Sequence, residues 1–263
     1  MATTKSGKKP FAHYARYYDL LYAGKDYAAE TRFVHDRLRA LQAPGPRLLE
    51  LGCGTGRHAQ EFTGLGWQVT GVDLSPGMIT QAKRRAAQAG GARKNRPGFQ
   101  VGDMSTVRCG KTFDAVISLF HVMGYQTTNT GLAASLRTAA VHLPPGGIFF
   151  FDYWFGPAVL TDPPSTRIKR FADQRIAVTR ISEPAMEIAR NIVNVGFDVL
   201  VEDKRTGKVH RITENHRVRY FFLPELEAHL EAAGFQVEGH GKWMGTDGLD
   251  AQSWYGWIAA RRR

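Results

Sequence analysis

The sequence is poor in cysteine: Cys53 and Cys109 are alone in 263 residues, and no CxxC pair occurs. Disulfide scaffolds and structural zinc centres need more sulfur at tighter spacing, so neither is supported and no metal site is expected. Two isolated thiols suit a reducing cytoplasm, the compartment expected here. Long apolar runs are missing too. The most apolar stretches, such as residues 147–151, are strand-length, far below the roughly 20 residues that span a bilayer. Residues 1–9 are basic but lack the apolar run that a signal peptide requires, and read as a loose polar tail. Nor is charge gathered in one place. Lysine and arginine (35) exceed aspartate and glutamate (24) by 11. The excess is spread over Lys5, Lys8 and Lys9, Lys83 to Arg85, Arg93, Lys94 and Arg96, and Arg261 to Arg263. Such scatter reads first as solvated surface, and it suits an acidic small substrate better than nucleic acid.

What is present fits a globular chain. A hydrophobic content of 43% is ample for a core, in one large domain or a domain with an insertion. Residues 28–41 set Phe33, Val34, Leu38 and Leu41 at helical spacing. Four short apolar segments follow, at 48–51, 69–72, 99–101 and 115–120, each succeeded by a helical or loop stretch. Ser75-Pro76 opens a helix over 78–89, and a helix over 130–143 stops at Pro144-Pro145-Gly146-Gly147 before a fifth strand at 148–151. Apolar strands alternating with helices imply a parallel sheet covered on both faces. After Trp154 the alternation stops. Segments 175–180, 192–201 and 209–222, with a hairpin turn at 204–208, read as an antiparallel insertion. A helix at 224–233 and strands at 235–237 and 254–260 close the chain.

The most informative stretch runs from Leu48 through Glu50, Gly52, Gly54 and Gly56 to His58. A strand leading into alternating glycines and then a helix lets a ligand lie against bare backbone. Gly54, Gly56 and Ala59 also fit the dinucleotide fingerprint, which keeps NAD and FAD open. Charge separates the candidates. A dinucleotide brings a diphosphate, whereas S-adenosylmethionine brings an ammonium and a sulfonium, and acid beside the loop favours the second. Glu50 ends the first strand, Asp73 the second and Asp103 the third, with Met104 placed to pack on an adenine ring. Singly these acids could be a surface carboxylate, a helix cap and a turn residue. Together they stand at the carboxyl ends of consecutive strands, where ligands bind open α/β sheets.

On Glu50-Leu51-Gly52-Cys53-Gly54-Thr55-Gly56, Gly71-Val72-Asp73-Leu74-Ser75, Gly102-Asp103-Met104 and Phe113-Asp114-Ala115-Val116 the sequence resembles the class I S-adenosylmethionine-dependent methyltransferases. The resemblance spans residues 46–152. It implies an α/β fold, with a Rossmann-like, mostly parallel seven-stranded sheet, helices on both faces and the final strand antiparallel. A narrower resemblance rests on Tyr18-Asp19-Leu20-Leu21-Tyr22 through Glu30, on His58, and on Gly124-Tyr125. It is to the bacterial deoxysugar amino-N,N-dimethyltransferases, which carry an antiparallel insertion over the active site. It implies Tyr18 closing over the cofactor, with Glu50, Gly52, Gly54, Gly56, Asp73, Leu74, Met78, Asp103, Met104 and Phe120 lining its pocket. The expected division is a helical cap or substrate segment at 1–45, a core at 46–156 and 223–263, and a substrate lid at 157–222.

Methyl transfer from a sulfonium is an in-line displacement, so alignment contributes most, but the acceptor must still offer a lone pair. His121, after the fourth strand, is the preferred general base, since an unperturbed histidine titrates near 6.5; a purely packing histidine stays open. Tyr18 and Tyr14 are second candidates, although Phe11, Tyr14, Tyr17, Tyr18 and Leu21 also form a helical packing stripe. His216, Arg217 and Arg219 could reach an anionic group or line a solvated strand face. Base amino-methylation would want a proline-rich segment where Ser118-Leu119-Phe120-His121 stands, and cytosine methylation a Pro-Cys nucleophile. The narrower resemblance makes N-methylation of an amino sugar the leading expectation. O-methylation, RNA methylation, a non-catalytic cofactor-binding protein and an NAD oxidoreductase are the rivals. The expected partner is a small molecule, with an anionic nucleotide-linked sugar compatible with the charge; no membrane is expected, and a homodimer is left open.

Overall fold

The computed structural model describes residues 15–89 and 96–263; the tail 1–9, Phe11, Tyr14, Arg93 and Lys94 lie outside them. The described chain opens with α1 (Ala15–Leu21) and α2 (Tyr27–Ala40), the latter capped by the Asp26 carboxylate accepting from Ala29 N. Alternation follows in β1 (Arg47–Leu51), α3 (Arg57–Gly64), β2 (Gln68–Asp73), α4 (Pro76–Gln88), β3 (Gly98–Val101) and β4 (Ala115–Ser118). It continues in α5 (Asn129–Val141), β5 (Ile148–Trp154) and α6 (Gly156–Thr161). Four strands then run in succession: β6 (Arg167–Ala172), β7 (Ile176–Glu187), β8 (Ile192–Asp203) and β9 (Val209–Arg219). The last elements are α7 (Leu223–Ala232), β10 (Phe235–Lys242) and β11 (Tyr255–Arg262).

The main sheet has seven strands in the order β10-β11-β5-β4-β1-β2-β3. β11 is antiparallel to both neighbours, and β1 to β5 pair in parallel. Apolar side chains that alternate between the two faces feed two cores. On one side Leu49, Leu51, Val116, Phe149 and Phe151 meet Leu132 and Leu136 of α5 and Leu226 and Leu230 of α7. On the other, Leu48, Phe150 and Trp257 meet Val34 and Leu38 of α2 and Ala59 and Phe62 of α3. Burial on both faces is why these strands read as continuous apolar runs.

The second sheet, β6-β7-β8-β9, is antiparallel throughout. Its apolar face carries Val178, Val199 and Val201 against Tyr17 and Leu21 of α1, so these two members of the N-terminal stripe pack on this sheet. Two elements escape the sequence pattern. α6 is six residues long, and β6, Arg-Ile-Lys-Arg-Phe-Ala, is an exposed basic edge strand with no apolar alternation. The fourth strand also ends at Ser118 rather than Phe120, because Phe120 (φ +68°) and His121 (φ +49°) are left-handed. No helix among the described residues is long and apolar enough to cross a membrane.

Phe150 sits at the centre of β5, fully buried and stacked on Trp257 with ring centroids 5.5 Å apart. Phe150→Ala should lower the unfolding free energy by ~3–5 kcal/mol, through lost transfer energy and the cavity left behind, as read from urea unfolding monitored by circular dichroism.

Candidate active site

The glycine loop is fixed from two strands. Gly52 N and Cys53 N both donate to Val72 O, at 2.7 and 3.0 Å, folding the end of β1 onto β2. At Gly52 (φ +78°) a Cβ would lie 2.3 Å from Val122 Cγ1, whereas at Gly54 (φ +52°) it would meet nothing within 4 Å. The first glycine permits close packing, and the second leaves bare backbone facing open space. Asp73 then ties the loop to the next helix: its Oδ2 accepts from Gly54 N at 2.9 Å and its Oδ1 from Ser75 N at 2.8 Å. Burial raises its carboxyl above the usual range, and the two amides pull it back. Ser75 caps α4, accepting from Met78 N.

A cavity of about 420 Å³ opens over this loop. Of the residues expected there, Tyr18, Gly52, Gly54, Asp73, Leu74 and Met78 line it, and so do Asp103, Met104, Phe120 and His121. Glu50 and Gly56 do not. Gly56 caps α3 with the Phe99 ring packed so closely that a Cβ would sit 2.6 Å from it, which makes it a packing position. Glu50 is 1% exposed and turns toward α3, where Ala59 N donates to its carboxyl and His58 Nδ1 lies 3.8 Å away. Its Oε2 has no hydrogen-bond partner among the described residues. Desolvation, with Asp73 adding, pushes this carboxyl up to about 8. His58 in turn bonds Glu30 Oε2 through Nε2 at 2.8 Å, joining α3 to α2.

A second cavity, about 760 Å³, meets the first at Tyr22, Phe120, His121, Trp154, Val195 and Phe197. The two differ sharply in charge. The first is lined by the carboxylates Asp73 and Asp103 and, among the described residues, by no lysine or arginine. The second is lined by Lys25, Arg167, Lys169 and Arg180 beside Glu30, Asp152 and Asp162. At the junction, burial drives the His121 imidazole down to about 3, with Lys25 adding, so it stands neutral and is a poorer base than its sequence position suggests. Asp152, which sequence reasoning passed over, is buried beside it: Oδ2 accepts from His121 N at 2.9 Å. The only signal for it was an acid ending the run Phe149-Phe150-Phe151 in a strand otherwise apolar on both faces.

The basic segment of β9 divides between its two faces. His216 lines the first cavity, bonded to Tyr125 Oη at 2.8 Å through Nδ1 and to Glu214 Oε2 at 3.0 Å through Nε2. Arg217 pairs with Glu187, and Arg219 with Glu225 and Asn129, away from that cavity. Strand alternation thus separates a trio that adjacency in sequence had grouped.

The family model of the methyltransferase domain matches residues 48–147. Over 227 residues the chain is 34% identical to the dTDP-3-amino-3,4,6-trideoxy-α-D-glucopyranose N,N-dimethyltransferase of Streptomyces venezuelae, covering 86% of this chain and 91% of that one. The chain belongs to the S-adenosylmethionine-dependent methyltransferases. This methyltransferase is also 28% identical to the dTDP-3-amino-3,6-dideoxy-α-D-glucopyranose N,N-dimethyltransferase of Streptomyces fradiae, over 96% of its own length and 100% of the relative's. Among solved structures it is similar to a sugar N-methyltransferase from Streptoalloteichus (TM-score 0.81, 26% identity, 100% and 98% covered). It is similar too to an S-adenosylmethionine-bound amino pentose methyltransferase from Micromonospora echinaspora (TM-score 0.72, 26% identity, 98% and 100% covered).

S-adenosylmethionine is the cofactor, and the first cavity fits its charge: carboxylates without a lysine or arginine among the described residues, and open backbone at Gly54. The buried acid behind it is directly testable. Glu50 is neutral when folded up to about 8 but ionises near 4.5 when unfolded. Its contribution is therefore full below pH 4.5 and is lost as pH rises through 8. Measured by urea unfolding without cofactor, the stability of the wild type should fall relative to Glu50→Gln by up to ~1.4 kcal/mol per pH unit within that window. Parallel pH curves for the two proteins would contradict the buried placement.

Proposed function

We propose that this methyltransferase N-methylates an amino sugar carried on an anionic nucleotide, the substrate type named for its relatives from S. venezuelae and S. fradiae. The observation that carries the reading is the charge partition between the two joined cavities. The acidic one suits a cationic nucleoside, and the other, where Arg167 and Lys169 of the exposed β6 edge join Arg180 and a Lys25 paired with Glu30, suits a diphosphate reaching in with its sugar foremost. S-adenosylmethionine supplies the methyl group as an electrophilic sulfonium.

The protein's own residues hold and orient. In this reading Asp73 and Asp103 take polar groups of the nucleoside, while Met78, Met104 and Leu74 enclose its apolar surface and Tyr18 closes over it. The cap is residues 1–45, the core 46–156 with 223–263, and the lid 157–222. Support for the lid is the packing of α1 on the second sheet and the share of Val195, Phe197 and His216 in the cavity walls. The cytoplasm, where nucleotide-linked sugars are made, is the proposed compartment.

Two readouts test this. Incubation with tritiated S-adenosylmethionine and a dTDP-linked amino sugar should place label on nitrogen, seen by mass spectrometry as gains of one and two methyl groups. Reversing charge in the second cavity (Arg167→Glu with Lys169→Glu) should raise KM for the nucleotide sugar at least tenfold and change kcat less than twofold. Label on oxygen, or label only in RNA, contradicts the reading.

A further inference from the structure

Asp152 and Trp154 share one face of β5, because alternate strand residues point the same way, and both line the second cavity. The Asp152 carboxylate is held rigidly. Oδ2 accepts from His121 N at 2.9 Å, and this contact is set by the left-handed Phe120–His121 corner. Oδ1 is fully buried and has no hydrogen-bond partner among the described residues. A buried acceptor without a donor is costly, and in a cavity wall its natural partner is a ligand N–H. Around it stand rings: His121 lies 5.2 Å from Trp154 and 5.7 Å from Tyr255, and Trp254 lies 5.5 Å from Trp154 and 6.1 Å from Tyr255. Trp154, Trp254 and Tyr255 line the same cavity. Aromatic faces beside a carboxylate are the setting that binds alkylammonium groups, since ring quadrupoles attract a cation whose hydration has been stripped.

We infer that Asp152 with Trp154, Trp254 and Tyr255 forms an ammonium-binding subsite, in which Asp152 Oδ1 receives the substrate's N–H and accepts its proton. The ammonium N–H bond breaks, its electron pair stays on nitrogen as the lone pair needed for methylation, and the proton bonds to Oδ1. Desolvation, reinforced by Glu30 and opposed by the His121 amide, Lys25 and the residue's own backbone amide, brings the Asp152 carboxyl up to about 7, so it can take and return a proton near neutrality. His121, held neutral, is then a wall and a backbone donor, not the base. The same subsite accepts the amine before and after its first methylation, because an aromatic cage tolerates added methyl groups.

This inference rests on the amine-methylation reading, and its test is independent of turnover. The probe is choline, compared with its neutral isostere 3,3-dimethylbutan-1-ol, titrated into the full chain without cofactor at pH 8 and followed by tryptophan fluorescence. Choline should bind at least tenfold more tightly than the alcohol. Asp152→Asn, which keeps the acceptor for His121 N but removes the charge and leaves only the rings, should cut that preference at least fivefold, and Asp152→Glu should retain more of it, both with wild-type circular dichroism. Equal binding of the two probes, no binding of either, or a preference undiminished in Asp152→Asn overturns the subsite. Nitrogen labelling without any choline preference would sink this inference and leave the amine reading standing; the preference together with oxygen labelling would sink the amine reading and the proton transfer with it, leaving a cation-binding subsite alone.

Discussion

The cofactor cavity depends on the hydrogen bonds of Asp73. One carboxylate oxygen holds Gly54 N in the loop after β1, the other holds Ser75 N at the head of α4, and the residue's own carbonyl accepts from Gly102 N beyond β3. Three strand ends are thereby fixed around a single residue, two of the bonds made by its side chain and one by its backbone. Hydrogen bonds to a charged group contribute ~1.5–3 kcal/mol each, enough to hold a glycine loop in left-handed conformations that water would otherwise loosen. The charge that organises this backbone also sets the character of the cavity, since no lysine or arginine among the described residues lines it.

A second constraint builds the meeting point with the other cavity. Phe120 and His121 both adopt left-handed backbone, at a cost of order 1–3 kcal/mol each for non-glycine residues. The surroundings hold them there. Lys25 Nζ lies 4.2 Å from the Phe120 ring centroid, Tyr22 meets that ring edge-on at 5.0 Å, and Asp152 takes the His121 amide. The bend turns β4 off the sheet, so both rings stand between the cavities where a straight strand would have carried them past. Strain, buried acid and aromatic cluster coincide at one place, which is how a site differs from a core.

Much of this was legible in the sequence. Apolar runs at 48–51, 69–72 and 148–151, separated by capped helices, identify a parallel sheet covered on both faces, and Gly52, Gly54 and Asp73 lie where that pattern puts them. What was hidden follows from the same physics. A strand buried on both faces shows no alternation, so nothing local tells which way an acid points: Glu50 faces α3, and Asp152 faces the cavity. His216 is engaged by Tyr125, 91 positions away, a pairing that only folding creates. The proton affinity of His121 is set by burial, which residue type does not reveal. β6 is an exposed edge with no apolar alternation, so no pattern in the sequence marks Arg167 and Lys169 as cavity residues.

The central claim is that carboxylates without counter-cations select a cationic nucleoside over a diphosphate. Calorimetric titration of the purified protein with S-adenosylmethionine and, separately, with NAD addresses it most directly. The sulfonium compound should bind saturably, and the dinucleotide should give no measurable heat. NAD binding as tight as that of S-adenosylmethionine, or no binding of the latter, would contradict it.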